Sequence, residues 1–173
     1  MMLLKSALTV VLCLSTLPAL AEFSPNQVIA AGKVKRNVYV NDTIITGGDA
    51  LANPVNLSTV RWAANKGFER IVIDLTGEGS AWETKVPPYF QVSVNSNQQK
   101  LGVSIHGVSA RQVDREKLAQ SFRRSSIISQ SYLAPAMEGD LAALEFRTKG
   151  PVDAEAFYLV SPPRIVIDVR SQH

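Results

Sequence analysis

The chain has 173 residues, 46% of them hydrophobic and 19% charged, with 18 basic side chains against 15 acidic ones. That is enough for one domain with its own core and too little for two comfortable ones. Beyond the first twenty residues no run stays apolar for the roughly 18 positions a membrane helix needs, which excludes an integral membrane protein for the body of the chain.

Met1 to Ala21 carries Lys5, an apolar run from Ala7 to Leu14, and the small-residue site Ala19-Leu20-Ala21. This is the pattern of a secretory signal peptide, 1–21, with cleavage expected after Ala21 and export from the cytoplasm. The single cysteine, Cys13, lies in the segment to be removed, so no disulfide is expected in the exported chain. Val11 and Leu12 precede it where a lipid-attachment site needs small residues, which favours the ordinary cleaved signal. Loss of Lys5 leaves 17 basic residues against 15 acidic, a net charge of +2. A chain so nearly neutral does not imply nucleic acid as a partner, although a local basic cluster could still attract an anionic polymer.

Residues 22–56 are patterned weakly and read as a partly extended arm, punctuated by Gly32, Gly47, Gly48 and Pro54. Within it Val38-Tyr39-Val40 and Thr43-Ile44-Ile45-Thr46 flank Asn41-Asp42, the composition of a small hairpin. From Val55 onward the apolar period is two, which predicts half-buried strands. Phe90, Val92 and Val94, then Leu101, Val103 and Ile105, predict a hairpin around Ser96-Asn97-Gln98-Gln99. Asp114 to Arg124 breaks the period: Asp114 suits an N-cap and Leu118 and Phe122 share a helical face, so one short helix is expected over about 115–124. A strand near Ile127 to Leu133 follows. The runs 141–148, 154–160 and 164–169 read as a three-strand meander with turns at Lys149-Gly150-Pro151 and Ser161-Pro162-Pro163. Prolines fall between these runs, where a missing N–H costs no ladder bond. The fold class expected is mainly β, a two-sheet β-sandwich of short antiparallel strands with one short helix.

Arg70-Ile71-Val72-Ile73-Asp74 recurs 94 positions later as Arg164-Ile165-Val166-Ile167-Asp168. On an extended strand the aliphatics Ile71, Ile73, Ile165 and Ile167 take one face, while Arg70 and Asp74, or Arg164 and Asp168, take the other and point outward. Two geometries fit. Paired antiparallel about Val72 and Val166, the copies set Arg70 against Asp168 and Asp74 against Arg164; alternatively they occupy opposite sheets, which the internal symmetry favours.

With Glu69 to Gly77 at one end and Tyr158-Leu159-Val160-Ser161-Pro162-Pro163-Arg164-Ile165-Val166-Ile167-Asp168-Val169 at the other, the region 57–170 resembles the AMIN domain. That family comprises periplasmic β-modules of cell-wall amidases and of secretin subunits. The resemblance implies a β-sandwich, a periplasmic location and a role in attaching to peptidoglycan and placing a partner at the wall. The loop Glu78 to Pro88 and the charged helix are longer than such a module requires, and no zinc domain follows before His173.

Catalytic chemistry has little to stand on. The exported chain offers His106, His173 and no cysteine for a metal, lacks a Gly-x-Ser-x-Gly elbow and lacks a phosphate-binding Gly-rich loop, so no enzyme activity, metal or cofactor is expected. His106 falls on the polar face of its strand and reads as a solvated histidine. The basic cluster Arg111, Arg115, Lys117, Arg123 and Arg124, offset by Asp114 and Glu116, reads either as a solvated helix face or as a surface for anionic wall polymers. Trp82 lies in a Gly/Ser/Glu-rich loop, where an exposed aromatic more often marks contact. The ligand-binding candidates are Trp82, Arg115, Arg123 and Arg124. The leading expectation is a non-catalytic wall-binding module with peptidoglycan as its partner; the alternative is an adaptor of a secretin, pilus or other envelope machine, donating the 38–46 hairpin as an added strand.

Overall fold

A computed structural model describes residues 25–49, 55–77, 86–135 and 141–172; the expected signal segment, Trp82 and His173 lie outside these. The described chain is a two-sheet β-sandwich with one short helix. Its elements are β1 (Gln27–Ala30), β2 (Thr43–Gly47), β3 (Val55–Asn65), β4 (Phe68–Thr76), β5 (Phe90–Asn95), β6 (Lys100–His106), β7 (Val108–Ser109), α1 (Arg115–Ser121), β8 (Ile128–Leu133), β9 (Leu141–Thr148), β10 (Val152–Val160) and β11 (Pro163–Ser171). One sheet has six strands in the order β1-β2-β5-β6-β9-β8, the other five in the order β10-β11-β4-β3-β7. Both are mixed rather than wholly antiparallel: β1 runs parallel to β2, and β7 runs parallel to the start of β3.

The alternation read from the sequence decides which side chains meet between the sheets. Val92 and Val94 of β5, Leu101, Val103 and Ile105 of β6 and Phe146 of β9 face Ile71, Ile73 and Leu75 of β4 and Ile165 and Ile167 of β11 in one continuous core. Burying such a side chain stabilises the fold by about 1.5–3 kcal/mol. The expected β5–β6 hairpin is present, pairing Phe90 with Ile105 and Val94 with Leu101. In α1 the Asp114 carboxylate caps the first turn by accepting from the Lys117 N–H at 3.0 Å, and Leu118 and Phe122 are both buried as expected. The helix stops at Ser121 rather than 124, because the chain turns there to pack Phe122 against Phe146, with ring centroids 5.2 Å apart.

Four expectations need correction. The 38–46 hairpin does not form: Val40 bridges Ala154 on β10, while Thr43 to Gly47 pair with β1 and with β5. Asn41-Asp42 does turn the chain, with Asp42 at φ 42°, but the turn carries it from the edge of one sheet to the interior of the other, where Thr43 and Ile45 are buried. Residues 27–47 are therefore built into both sheets rather than forming a separate arm. The C-terminal meander is broken as well, since β9 is already flanked by β6 and β8 and has no free edge for β10; at Lys149-Gly150-Pro151 the chain crosses between the sheets. Finally, the two Arg-Ile-Val-Ile-Asp strands lie side by side in one sheet and not in opposite sheets. β4 and β11 pair antiparallel with Val72 opposite Val166, Arg70 opposite Asp168 and Asp74 opposite Arg164. The tight β10–β11 hairpin around Ser161-Pro162 puts β11 between β10 and β4, and opposite charges across the ladder favour this register.

Candidate functional site

The outer face of the five-stranded sheet carries the charges of the repeated motif in two clusters. At one end Asp74 gathers three residues: Arg61 donates from Nε at 2.6 Å and from Nη2 at 2.9 Å, the Thr59 hydroxyl donates at 3.2 Å, and Arg164 Nε lies 3.1 Å away. Partial burial works against the Asp74 charge, but these cations hold its carboxyl below the usual value. At this end the side chains stay part-exposed, 20% for Asp74 and 33% for Arg164.

The other end is not open, which corrects the expectation of outward charges there. Asp168 is fully buried. Arg70 grips it with two hydrogen bonds, at 2.7 and 2.9 Å, and Lys35 Nζ reaches it at 2.7 Å from the segment that crosses over this face. That segment, 32–40, is pinned to β10 at Gly32 opposite Phe157 and at Val40 opposite Ala154. Between the two pins the backbone N–H groups of Arg36 and Asn37 donate to the Glu155 carboxylate at 2.5 and 3.0 Å. The Lys35 ammonium also sits 3.6 Å from the centre of the Phe68 ring.

Beside this cluster, where the β3–β4 turn meets the start of β10 and the end of β11, opens a groove of about 800 Å³. Asn41, Asn65, Asp153, Arg170 and Gln172 line it, with Phe68 on its wall. Asp153 organises the polar rim, accepting from Arg170 at 3.0 Å, from Gln172 Nε2 at 2.8 Å and from Asn41 Nδ2 at 3.1 Å. The Arg170 guanidinium also lies over the Tyr39 ring, 4.4 Å from its centre. Among the described residues no donor reaches the side-chain oxygens of Asn41, Asn65 or Gln172, so the rim presents planar acceptors together with a guanidinium. Such a set suits a ligand rich in hydroxyls and carboxylates.

The floor of the groove rests on Glu69, whose position in the aliphatic register of β4 turns it inward. One carboxylate oxygen accepts from Trp62 Nε1 at 2.8 Å and from the Ser125 hydroxyl; the other accepts from Ser126 N at 2.6 Å, Ser126 Oγ at 2.7 Å and Ile127 N at 3.3 Å. Burial alone would raise its pKa, but these hydrogen bonds from Ser125, Ser126 and Trp62 outweigh it and keep the carboxyl below its ordinary value. Glu69 thus ties β4 to the strand edge of the opposite sheet and is spent as a structural anion.

Of the residues singled out from sequence, Arg70, Asp74, Arg164 and Asp168 come together as described. Arg115 opens α1 and Arg123 and Arg124 follow it; all three are exposed and stand outside the polar groove. Lys35, Glu69, Asp153 and Glu155 were not singled out. The only signal for Glu69 was its parity with Ile71 and Ile73, and the others depend on which strands become neighbours. His106 is exposed, with its ring 5.4 Å from that of Tyr89. Among the described residues no three His, Cys, Asp or Glu side chains gather as a metal site would require, and no helix is long and apolar enough to cross a membrane. Compared with known protein families and with functionally characterised proteins, the chain matches none.

Proposed function

We propose that the protein is an exported, periplasmic, non-catalytic AMIN-like module that binds peptidoglycan. The observation that carries this reading is the polar groove beside the paired Arg-aliphatic-Asp strands. Peptidoglycan offers ring hydroxyls, acetamido groups and stem-peptide carboxylates. In the groove the amide oxygens of Asn41, Asn65 and Gln172 accept from hydroxyls and N–H groups, and the outer edge of Arg170 donates to a carboxylate. Asp153, already saturated with donors, fixes the three side chains around it and so limits the ordering cost of binding.

Co-sedimentation with protein-free sacculi tests this. The purified protein should pellet at low salt and progressively less as salt rises, because the guanidinium–carboxylate contacts are screened. A double substitution of rim residues, Asn65→Ala with Arg170→Ala, should abolish pelleting while the protein remains folded. Failure of the parent protein to pellet at low salt overturns the proposal.

A further inference from the structure

Among the described residues, the five-stranded sheet has an edge that is left largely uncovered. Its last strand, β7, covers β3 only at Val55 and Asn56; beyond these β3 pairs with β4 on one side, and among the described residues no strand pairs with its other side as far as Asn65. A free edge of this kind presents a row of backbone donors and acceptors spaced for one more strand, and proteins ordinarily cover it or blunt it. The opposite edge of the same sheet, β10, is pinned by the 32–40 segment at two points.

Along β3 the edge is flanked by α1 but not sealed. The helix belongs to the other sheet: Leu118 and Phe122 are buried, and the Ser131 hydroxyl of β8 donates to the Leu118 carbonyl at 3.1 Å. What remains between helix and strand is a groove of about 690 Å³. Its one wall is Ser58 to Ala63, which starts at the register shift between Leu57 and Thr59, and Gln112, Val113, Asp114, Lys117, Leu118 and Ser121 form the other. At about 3.3 Å per residue those six strand residues span roughly 20 Å, the length of a short added strand.

Lys117 is the basic side chain of the helix that lines the groove, and four further basic residues lie close to it in the chain, outside the lining. Arg111, Arg115, Lys117, Arg123 and Arg124 are exposed, and none of their side chains has a hydrogen-bond or ion-pair partner among the described residues. The neighbouring Asp114 carboxylate is occupied in capping the helix, which leaves Glu116 as the free acid of the segment. The groove therefore joins an edge that accepts any extended backbone to a wall carrying Lys117, with further basic residues nearby to favour acidic side chains, the division of labour found wherever a peptide adds to a sheet.

We infer that the groove between β3 and α1 takes an extended acidic segment of a partner protein, which adds to β3 as a further strand while its carboxylates meet Lys117 and its basic neighbours. The chain is then an acceptor of a strand and not a donor, since its own 38–46 segment is already committed to both sheets.

Peptide titration of the purified protein tests the inference, with a fluorescein-labelled octapeptide of alternating valine and glutamate as the probe and the valine–lysine peptide as its counterpart. The acidic peptide should bind at low salt and shift the backbone amide signals of Ser58 to Ala63, and the lysine peptide should bind at least tenfold more weakly. Lys117→Glu combined with Arg115→Glu should weaken the acidic peptide roughly tenfold with an unchanged melting temperature, because neither side chain has a partner to lose among the described residues. Two acidic peptides N-methylated on alternate amides should differ sharply, since only one set faces β3 in an added strand. The Asn65→Ala, Arg170→Ala protein should bind the peptide like the parent, which separates this site from the polar groove. No binding at millimolar peptide, equal binding of the acidic and lysine peptides, equal binding of the two methylated peptides, or amide shifts confined to the polar groove would each overturn it.

Discussion

Replacing Glu69 by glutamine keeps the shape of the side chain and removes its charge, so the outcome measures what the buried carboxylate does. The oxygen that faces Ser126 and Ile127 can be kept as the amide oxygen, preserving three hydrogen bonds at weakened strength. The other oxygen becomes an NH2 group. The Ser125 hydroxyl already accepts from the Ile127 and Ile128 N–H groups and has no lone pair left for it, and the Trp62 indole N–H, now 2.8 Å from another donor, has nothing to donate to. An orphaned buried donor costs about 1–3 kcal/mol, and losing charge assistance in the retained bonds adds about 1 kcal/mol, for a total of roughly 2–4 kcal/mol. In a domain of this size that lowers the melting temperature by about 6–12 °C. Urea denaturation should show the loss as a shift of midpoint with unchanged slope. The pH dependence carries a second signature. Because the folded-state pKa of Glu69 lies below its ordinary value of 4.5, the stabilisation is fully present above that value and is lost as pH falls through the folded pKa. The difference between parent and variant should thus be constant from about pH 7 down to 5 and shrink below that. A Glu69→Gln protein within about 0.5 kcal/mol of the parent at pH 7 would refute the account of Glu69 as the tie between the sheets.

Gly48→Ala should destabilise by at least about 2 kcal/mol in thermal denaturation, because Gly48 has φ +84° and an added Cβ would stand 2.1 Å from the Pro88 carbonyl oxygen; a neutral substitution would show that this crossing is not held as described. Lys35→Met should cost roughly 1–2 kcal/mol at neutral pH. Burial opposes the Lys35 charge but its bonds to Asp168 and Tyr39 outweigh this and raise its pKa above 10.5, so the stabilisation is full below pH 10.5 and is lost as pH rises through the raised value. The gap between parent and Lys35→Met should accordingly close in strongly alkaline solution, and a gap independent of pH would count against the ion pair.

Alternation and turn chemistry made the strands legible one at a time. Phe90 to Ile105 could be read as a hairpin because both strands and the turn are contiguous, so local pattern and tertiary pairing coincide. The repeated Arg-Ile-Val-Ile-Asp told which side chains are buried and, through complementary charge, allowed the correct register, yet symmetry argued for the wrong neighbour. Which strands become neighbours depends on free edges. β10 could not continue the meander because β9 had two partners already, and that fact exists only once β6 and β8 are in place. The polar groove was illegible for the same reason: Asn41, Asn65, Asp153 and Gln172 come from distant parts of the chain, and nothing in the local sequence around any of them marks a site. The basic run over 111–124 was visible in sequence, but the strand edge beside it was not.

The segment 32–40 shows how burial can be created by covering a face and not by apolar composition. In the ladder Glu155 of β10 stands directly opposite Asp168 of β11, and both are buried. Two adjacent carboxylates repel. Arg70 alone could satisfy one of them. The covering segment supplies the rest: the Lys35 ammonium for Asp168 and two backbone N–H groups for Glu155, with the cation stacked on Phe68. Removing the segment would leave buried anions without enough donors, which costs several kcal/mol for each uncompensated charge. The same crossing carries Tyr39 to Arg170 and Asn41 to Asp153, so the cover that neutralises the outer face of β10 and β11 also builds one side of the polar groove. Folding of the N-terminal segment and formation of the candidate binding site are therefore one event, and a chain truncated before Val40 should lose both together.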